Sequence, residues 1–205
     1  MNREVDDRFP RVVPLARATK GNFVKKRSSI VQALWMIAEA IVLNNSLVPS
    51  SGIKVRLLRL FGAQIGTGCV CPHAFRVKYP WNLRIGDDCW IGDGVWLYNQ
   101  GMIEIGSNVC ISQRSFLSTG SHDWEGDMSL RIDPIIIEDG AWISSMCFVQ
   151  KGVTGGRGSI VTPMSVVHKS IGPFSIVGGN PAKFIRWRAS DAPMGGSPSA
   201  QQGSS

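Results

Sequence analysis

The stretch Ile105-Gly-Ser-Asn-Val-Cys-Ile-Ser-Gln-Arg-Ser-Phe-Leu-Ser-Thr-Gly-Ser-His-Asp-Trp124 decides how this chain is read. Ile105, Ile111 and Leu117 stand six residues apart, and the run ends in His122, flanked by Ser121, Asp123 and Trp124, where the spacing breaks off. Working outward, the same interval returns at Ile65, Cys71 and Val77; at Ile85, Ile91 and Leu97; at Ile137, Ile143 and Val149; and at Val161 and Val167. Gly155 alone stands where a large side chain is due. A period of six belongs neither to an amphipathic helix nor to an ordinary half-buried strand.

It belongs to a parallel β-helix. Each hexad supplies a short strand and a corner, three hexads close one triangular coil, and the leading aliphatic points into a three-sided prism, stacked on its counterpart one coil away. Glycine, Asn or Asp is expected at the corners, where β-branched residues resist the backbone conformation. Ile65 to Ile85 and Ile85 to Ile105 each span 20 residues, the extra pairs being Leu83-Arg84 and Ile103-Glu104, whereas Ile105 to Ile137 spans 32. That surplus predicts a loop, Asp123 to Ile136, pushed out of the scaffold beside its most versatile acid/base side chain. His122 is therefore the candidate catalytic base. His73 and His168 are expected to be structural or cofactor-contacting.

The 205 residues suit one domain with appendages, and 43% hydrophobic content with 23 Gly and 11 Pro fits a turn-rich globular protein. Residues 1–27 read as a flexible basic arm and 28–62 as two N-terminal helices, the first capped by Ser28 or Ser29 and running to about Leu43, the second over Ile53 to Phe61. The β-helix with its closing basic segment takes 63–188, the last coil being followed by Ile171-Gly-Pro, and 189–205 is a disordered tail rich in Gly, Ser, Pro and Gln. The net charge of +7 is uneven, gathered in the arm, in Lys54, Arg56 and Arg59, and in Lys183, Arg186 and Arg188. Such clusters suit phosphates or an anionic membrane surface. They lack interleaved aromatics or a recognised module, so no nucleic-acid partner is expected. Five cysteines without a CxxC pair argue against a disulfide framework or zinc knuckle; Cys89, Cys110 and Cys147 read as small packing residues at matching places in successive repeats. No signal-peptide pattern opens the sequence, and the apolar run from Ile30 carries Glu39 and is too short to span a bilayer. A cytoplasmic protein is expected, with peripheral contact at the inner membrane face.

Leu60-Phe-Gly-Ala-Gln-Ile-Gly, Tyr79-Pro-Trp-Asn-Leu-Arg-Ile-Gly, Ile111-Ser-Gln, Ser118-Thr-Gly-Ser-His-Asp and Gly178-Gly-Asn-Pro-Ala-Lys, together with the hexads, resemble the hexapeptide-repeat, left-handed β-helix acyltransferases. Among these the chain is most similar to the colanic acid biosynthesis acetyltransferases, beside maltose, galactoside and nodulation-factor O-acetyltransferases. The resemblance covers about Ser28 to Arg188. It implies a homotrimer with acetyl-CoA bound between neighbouring prisms, no metal requirement, and the histidine loop of one subunit reaching across. By position, Trp142 and Ser144 then line the pantetheine groove with Pro163, a backbone N–H near Ser144 is the oxyanion donor, and His168, Lys169, Lys183 and Arg186 meet the cofactor. Asn99, Gln100, Asp123 and Trp124 fall on the acceptor side, although galactoside-type relatives carry carboxylates where this chain has Asn99-Gln100. Ser144 and Thr162 replace a common glycine and Gly155 replaces an aliphatic, which predicts local irregularity in the fourth and fifth coils.

The chemistry expected is O-acetylation: an imidazole, which titrates near neutrality, takes the acceptor's hydroxyl proton as oxygen attacks the thioester, with both substrates bound together. Asp123, Asn99 or a backbone carbonyl would orient the ring. The acceptor expected is a sugar of an exopolysaccharide or other cell-surface polysaccharide, with serine or an antibiotic as the alternative. A zinc-dependent carbonic anhydrase on the same fold would need clustered ligands, whereas His73, His122 and His168 are 49 and 46 residues apart. A non-catalytic binding β-helix would bind coenzyme A without turnover.

Overall fold

A computed structural model describes residue 13 and residues 15–188. The disordered-tail expectation for 189–205, and the outer part of the arm, lie outside these residues.

The hexads fold as a left-handed parallel β-helix. One face stacks Gln64–Ile65, Leu83–Ile85, Ile103–Ile105, Ile135–Ile137 and Thr154–Gly155; the second stacks Trp90–Ile91, Cys110–Ile111, Trp142–Ile143, Ile160–Val161 and Ser175–Gly178; the third stacks Arg76–Val77, Trp96–Tyr98, Phe116–Ser118, Phe148–Val149 and Val166–Val167. The register places Ile85 on Ile105 on Ile137, Ile91 on Ile111 on Ile143, and Leu97 on Leu117 on Val149. All of these side chains are buried, so apolar burial along three ladders holds the prism together.

The 32-residue interval leaves the stack uninterrupted, because Ile135–Ile137 pairs in parallel with Ile103–Ile105 as an ordinary coil would. The excursion begins earlier than expected: Gly120–His122 and Leu130–Ile132 form an antiparallel hairpin. Around Ser144, Gly155 and Thr162 the fourth and fifth coils keep their register, without the local irregularity expected there. Gly155 keeps register with Ile137, whose Cδ1 would lie 3.2 Å from a Cβ added there and so fills the space of the missing side chain. The prism also runs past Val167, with Ile171 bridged to Gly155 and Val177 paired to Val161. Ile171 follows Val167 by a step of only four, which hid this last partial coil from a search for sixes. Lys183–Trp187 then folds back antiparallel on Ser175–Gly178.

The corners need positive φ. Gly68, Asp88, Asn108, Gly140 and Gly158 take it at one corner, as expected, but Phe174 takes it there too, and Arg114, Met146 and Met164 follow Gly94 at another, side chains bearing the cost of about 1–2 kcal/mol each. Cys89 and Cys147 are buried two residues before an inward aliphatic, whereas Cys110 directly precedes Ile111 and pairs with Trp90 and Trp142 on the outer side. Cys110 is thus not equivalent to the other two.

At the prism's end lie α1 (Ser29–Ala38), continued by a wider turn through Glu39–Leu43, and α2 (Ser51–Leu60). The Ser28 hydroxyl caps α1 by accepting from the Val31 N–H. Trp35 Nε1 donates to the Val77 carbonyl at 2.8 Å and Glu39 accepts from the Val77 N–H at 2.9 Å, fixing the helix to the first coil. Lys54 is fully buried, its ammonium donating to the carbonyls of Pro72 and His73. Among the described residues no helix is long and apolar enough to cross a membrane.

Candidate active site

His122 is exposed at the end of its hairpin strand, paired with Leu130. Its Nδ1 lies 2.8 Å from the carbonyl oxygen of Met128. A carbonyl can only accept, so Nδ1 carries a proton, and in the neutral ring Nε2 is then the nitrogen with the free lone pair. Neither Asp123 nor Asn99 orients the ring; the third alternative, a backbone carbonyl, does so. Met128 presents that carbonyl from a left-handed conformation, φ 59°, at the end of a tight loop in which the Met128 N–H donates to the Asp123 carbonyl at 2.9 Å.

Asp123 is used to build that loop. One carboxylate oxygen accepts from the Gly126 N–H at 3.1 Å and the other meets the Arg131 guanidinium at 2.8 Å, which raises the Arg131 pKa. Asp127 accepts from the Ser129 N–H, and the Ser129 side chain, followed by that N–H, holds its carboxyl below the usual range. Trp124 stands exposed beside them. His122, Asp123 and Trp124 line a cleft of about 460 Å³ together with Ser118, Arg131, Phe148 and Gln150.

The remaining acceptor-side expectations are corrected. Asn99 is fully buried and its amide is committed to the chain: Oδ1 accepts from the Tyr79 N–H at 2.9 Å, and Nδ2 donates to the carbonyls of Tyr79 and Asn82. It ties two coils together and has no surface to offer a sugar. Gln100 packs its Oε1 beneath Gly120, under the hairpin rather than in the cleft. The arm is also not free at its inner end. Asn22 Nδ2 donates to the Ile132 carbonyl and its Oδ1 accepts from the Ile132 N–H, while the Thr19 and Ser129 hydroxyls lie 2.8 Å apart. Residues 19–22 are therefore clamped along the histidine hairpin.

The expected cofactor residues gather elsewhere. Trp142 is exposed on the second face, its Nε1 donating to the Ser112 hydroxyl at 2.8 Å. Trp90, two rungs along and more exposed, completes an aromatic pair across Cys110 that sequence reasoning missed, although its place before Ile91 matches that of Trp142 before Ile143. Register carries Trp142 through Ile160 and Ile176 to Arg186, three strand spacings or about 14 Å. Lys183 is exposed on the same terminal strand, Pro163 at the following corner, and His168 and Lys169 at the corner after the third face. Ser144 is buried and its own N–H is spent on the Val161 carbonyl at 3.0 Å, so it is not a free oxyanion donor. None of this group lines the His122 cleft. A larger concavity of about 770 Å³ along the first face holds none of the candidate residues. Among the described residues no three His, Cys, Asp or Glu side chains gather as metal ligands.

Comparison with known proteins gives a consistent picture. No family model matches the sequence. The chain is 40% identical over 162 residues to the "putative colanic acid biosynthesis acetyltransferase WcaF" of Escherichia coli K12, covering 78% of this chain and 89% of that protein. A hexapeptide-repeat acetyltransferase of Vibrio cholerae, solved with acetyl coenzyme A, matches with a TM-score of 0.72 and 27% identity over 84% of this chain and 97% of the other. A galactoside acetyltransferase in complex with coenzyme A shares the fold at a TM-score of 0.69 and 22% identity, over 80% and 85% of the two chains.

Proposed function

The chain belongs to the hexapeptide-repeat acetyltransferases, and on that premise we propose that it moves acetyl from acetyl-CoA to a sugar hydroxyl in a precursor of exopolysaccharide or another cell-surface polysaccharide. The observation that supports this is the His122–Met128 bond, which in the neutral ring leaves Nε2, on a residue lining the cleft, available to act as a base.

Nε2 accepts the proton of the acceptor hydroxyl as its oxygen attacks the thioester carbonyl. The tetrahedral oxyanion is met by main-chain N–H groups outside the strand ladders. The C–S bond then breaks and the thiolate takes the proton back from the imidazolium, giving the ester and free coenzyme A. No acyl-enzyme is required when both substrates are bound together. Trp142 offers an indole face to the pantetheine arm, and Lys169, Lys183 and Arg186 offer cations to the coenzyme's phosphates. These lie apart from His122 within one chain, which supports a homotrimer in which the hairpin of one subunit completes the second face of its neighbour. The transferase unit is residues 63–188, acting in the cytoplasm with peripheral contact at the inner membrane face.

The test is release of free thiol from acetyl-CoA across a panel of hexoses, nucleotide sugars, oligosaccharides, serine and chloramphenicol-like alcohols. Turnover with saccharides supports the proposal; turnover confined to serine or the antibiotic-like alcohols overturns the acceptor class.

A further inference from the structure

The N-terminal helices show two unlike sides. Trp35, Leu43 and Leu58 are buried against the first coil. On the other side Ile30, Leu34, Ile37 and Ile41 follow at steps of four, three and four, which is one stripe along a helix, and they are 73%, 54%, 58% and 60% exposed. Val24, Met36 and Leu47 are exposed as well. A helix docked on a folded domain ordinarily hides its apolar stripe; here Trp35 does the docking and the stripe faces out.

The charges that flank the stripe in sequence have one sign. Lys20, Lys25, Lys26, Arg27 and Arg56 are exposed, and from residue 13 to Ile85 the sole carboxylate is Glu39. That carboxylate is turned inward onto the Val77 N–H, with Arg76 at 4.0 Å. A second copy of this surface would bring like charges together. An anionic bilayer would satisfy both the apolar stripe and the cations.

We infer that α1 and its continuation lie in the plane of a bilayer rich in anionic phospholipid, with Ile30, Leu34, Ile37 and Ile41 among the acyl chains and Lys25, Lys26, Arg27 and Arg56 at the headgroups. This deepens the membrane contact named above and rests on it. The helical stretch is about 22 Å long, enough to lie flat and too short to span. Val77, to which α1 is fixed, stacks through Leu97 to Leu117, about 10 Å along the prism, where the histidine hairpin departs. The docked protein holds its cleft near the headgroup region, where a sugar carried on a lipid is presented.

The full chain is floated with vesicles of pure phosphatidylcholine or of equimolar phosphatidylcholine and phosphatidylglycerol. Binding to the mixed vesicles alone at low salt is expected. Lys25→Glu/Lys26→Glu and Leu34→Gln/Ile37→Gln should each weaken it by about 10²-fold, with coenzyme A binding and turnover of a soluble acceptor unchanged. Failure of the wild type to float overturns the inference, as does apolar-stripe variation that leaves flotation intact. It is equally overturned if that variant dissociates the assembly in sedimentation while neither protein binds vesicles. None of these outcomes touches the acetyl-transfer assay, so the membrane contact and the acetyl-transfer reading fail separately.

Discussion

Asn22 and Ile132 hold each other by a two-way pair, the amide donating to the Ile132 carbonyl and accepting from its N–H, both at 2.8 Å. One side chain 110 residues away thus extends the edge of the strand opposite His122. Asn22→Ala is expected to lower kcat by about tenfold through loosened hairpin geometry, with coenzyme A affinity unchanged. Steady-state kinetics beside a coenzyme titration checks this, and a loss of both together would mark a general folding defect.

Asn99 distinguishes a structural amide from a sugar contact. Its carboxamide bonds both main-chain groups of Tyr79 and the carbonyl of Asn82 within the prism, so Asn99→Ala should cost about 2–4 kcal/mol. Denaturant unfolding measures it. A variant of wild-type stability with a raised KM for acceptor would restore the binding role.

Glu39 carries a pH prediction. Burial raises its carboxyl above the ordinary value of 4.5, the Val77 N–H and nearby Arg76 opposing the shift. The native state therefore holds the proton more tightly than the unfolded chain, and a penalty absent below about pH 4.5 appears as pH rises through the folded value. Glu39→Gln, which keeps the acceptor for Val77, should be more stable than wild type at neutral pH. The two proteins should converge in acid. Paired urea titrations at both pH values provide the comparison.

Trp142 tests the cofactor face. Its indole edge is fixed by Ser112 while nearly half of the residue stays exposed, a platform already in place for a ligand. Trp142→Ala should weaken coenzyme A binding by about tenfold and leave folding intact, read by calorimetric titration and thermal melting. Unchanged affinity would remove Trp142 from the cofactor face.

The prism was legible because each inward aliphatic occupies a fixed place in a period of six, and His122 because that period fails beside it. Val177 was not, since the step from Val167 to Ile171 is two residues short. Asn99 was misread because a buried amide bonding main chain looks, in sequence, like a polar surface residue. The partner of His122 is a carbonyl, which every residue possesses, and it is aimed by the left-handed Met128 in a tight loop that no local residue preference announces. Asn22 became visible only once the hairpin had an edge to clamp. Trp90 and Trp142 share a hexad position and could have been found together by aligning the repeats on Ile91 and Ile143.

The measurement that bears most directly on the account is acetyl transfer by His122→Ala with saturating acetyl-CoA and an active saccharide, with coenzyme A binding measured on the same preparation. The account predicts a fall in kcat of about 10² or more with binding intact. A variant that binds coenzyme A and turns over at the wild-type rate would contradict it, and Nε2 would not be the base.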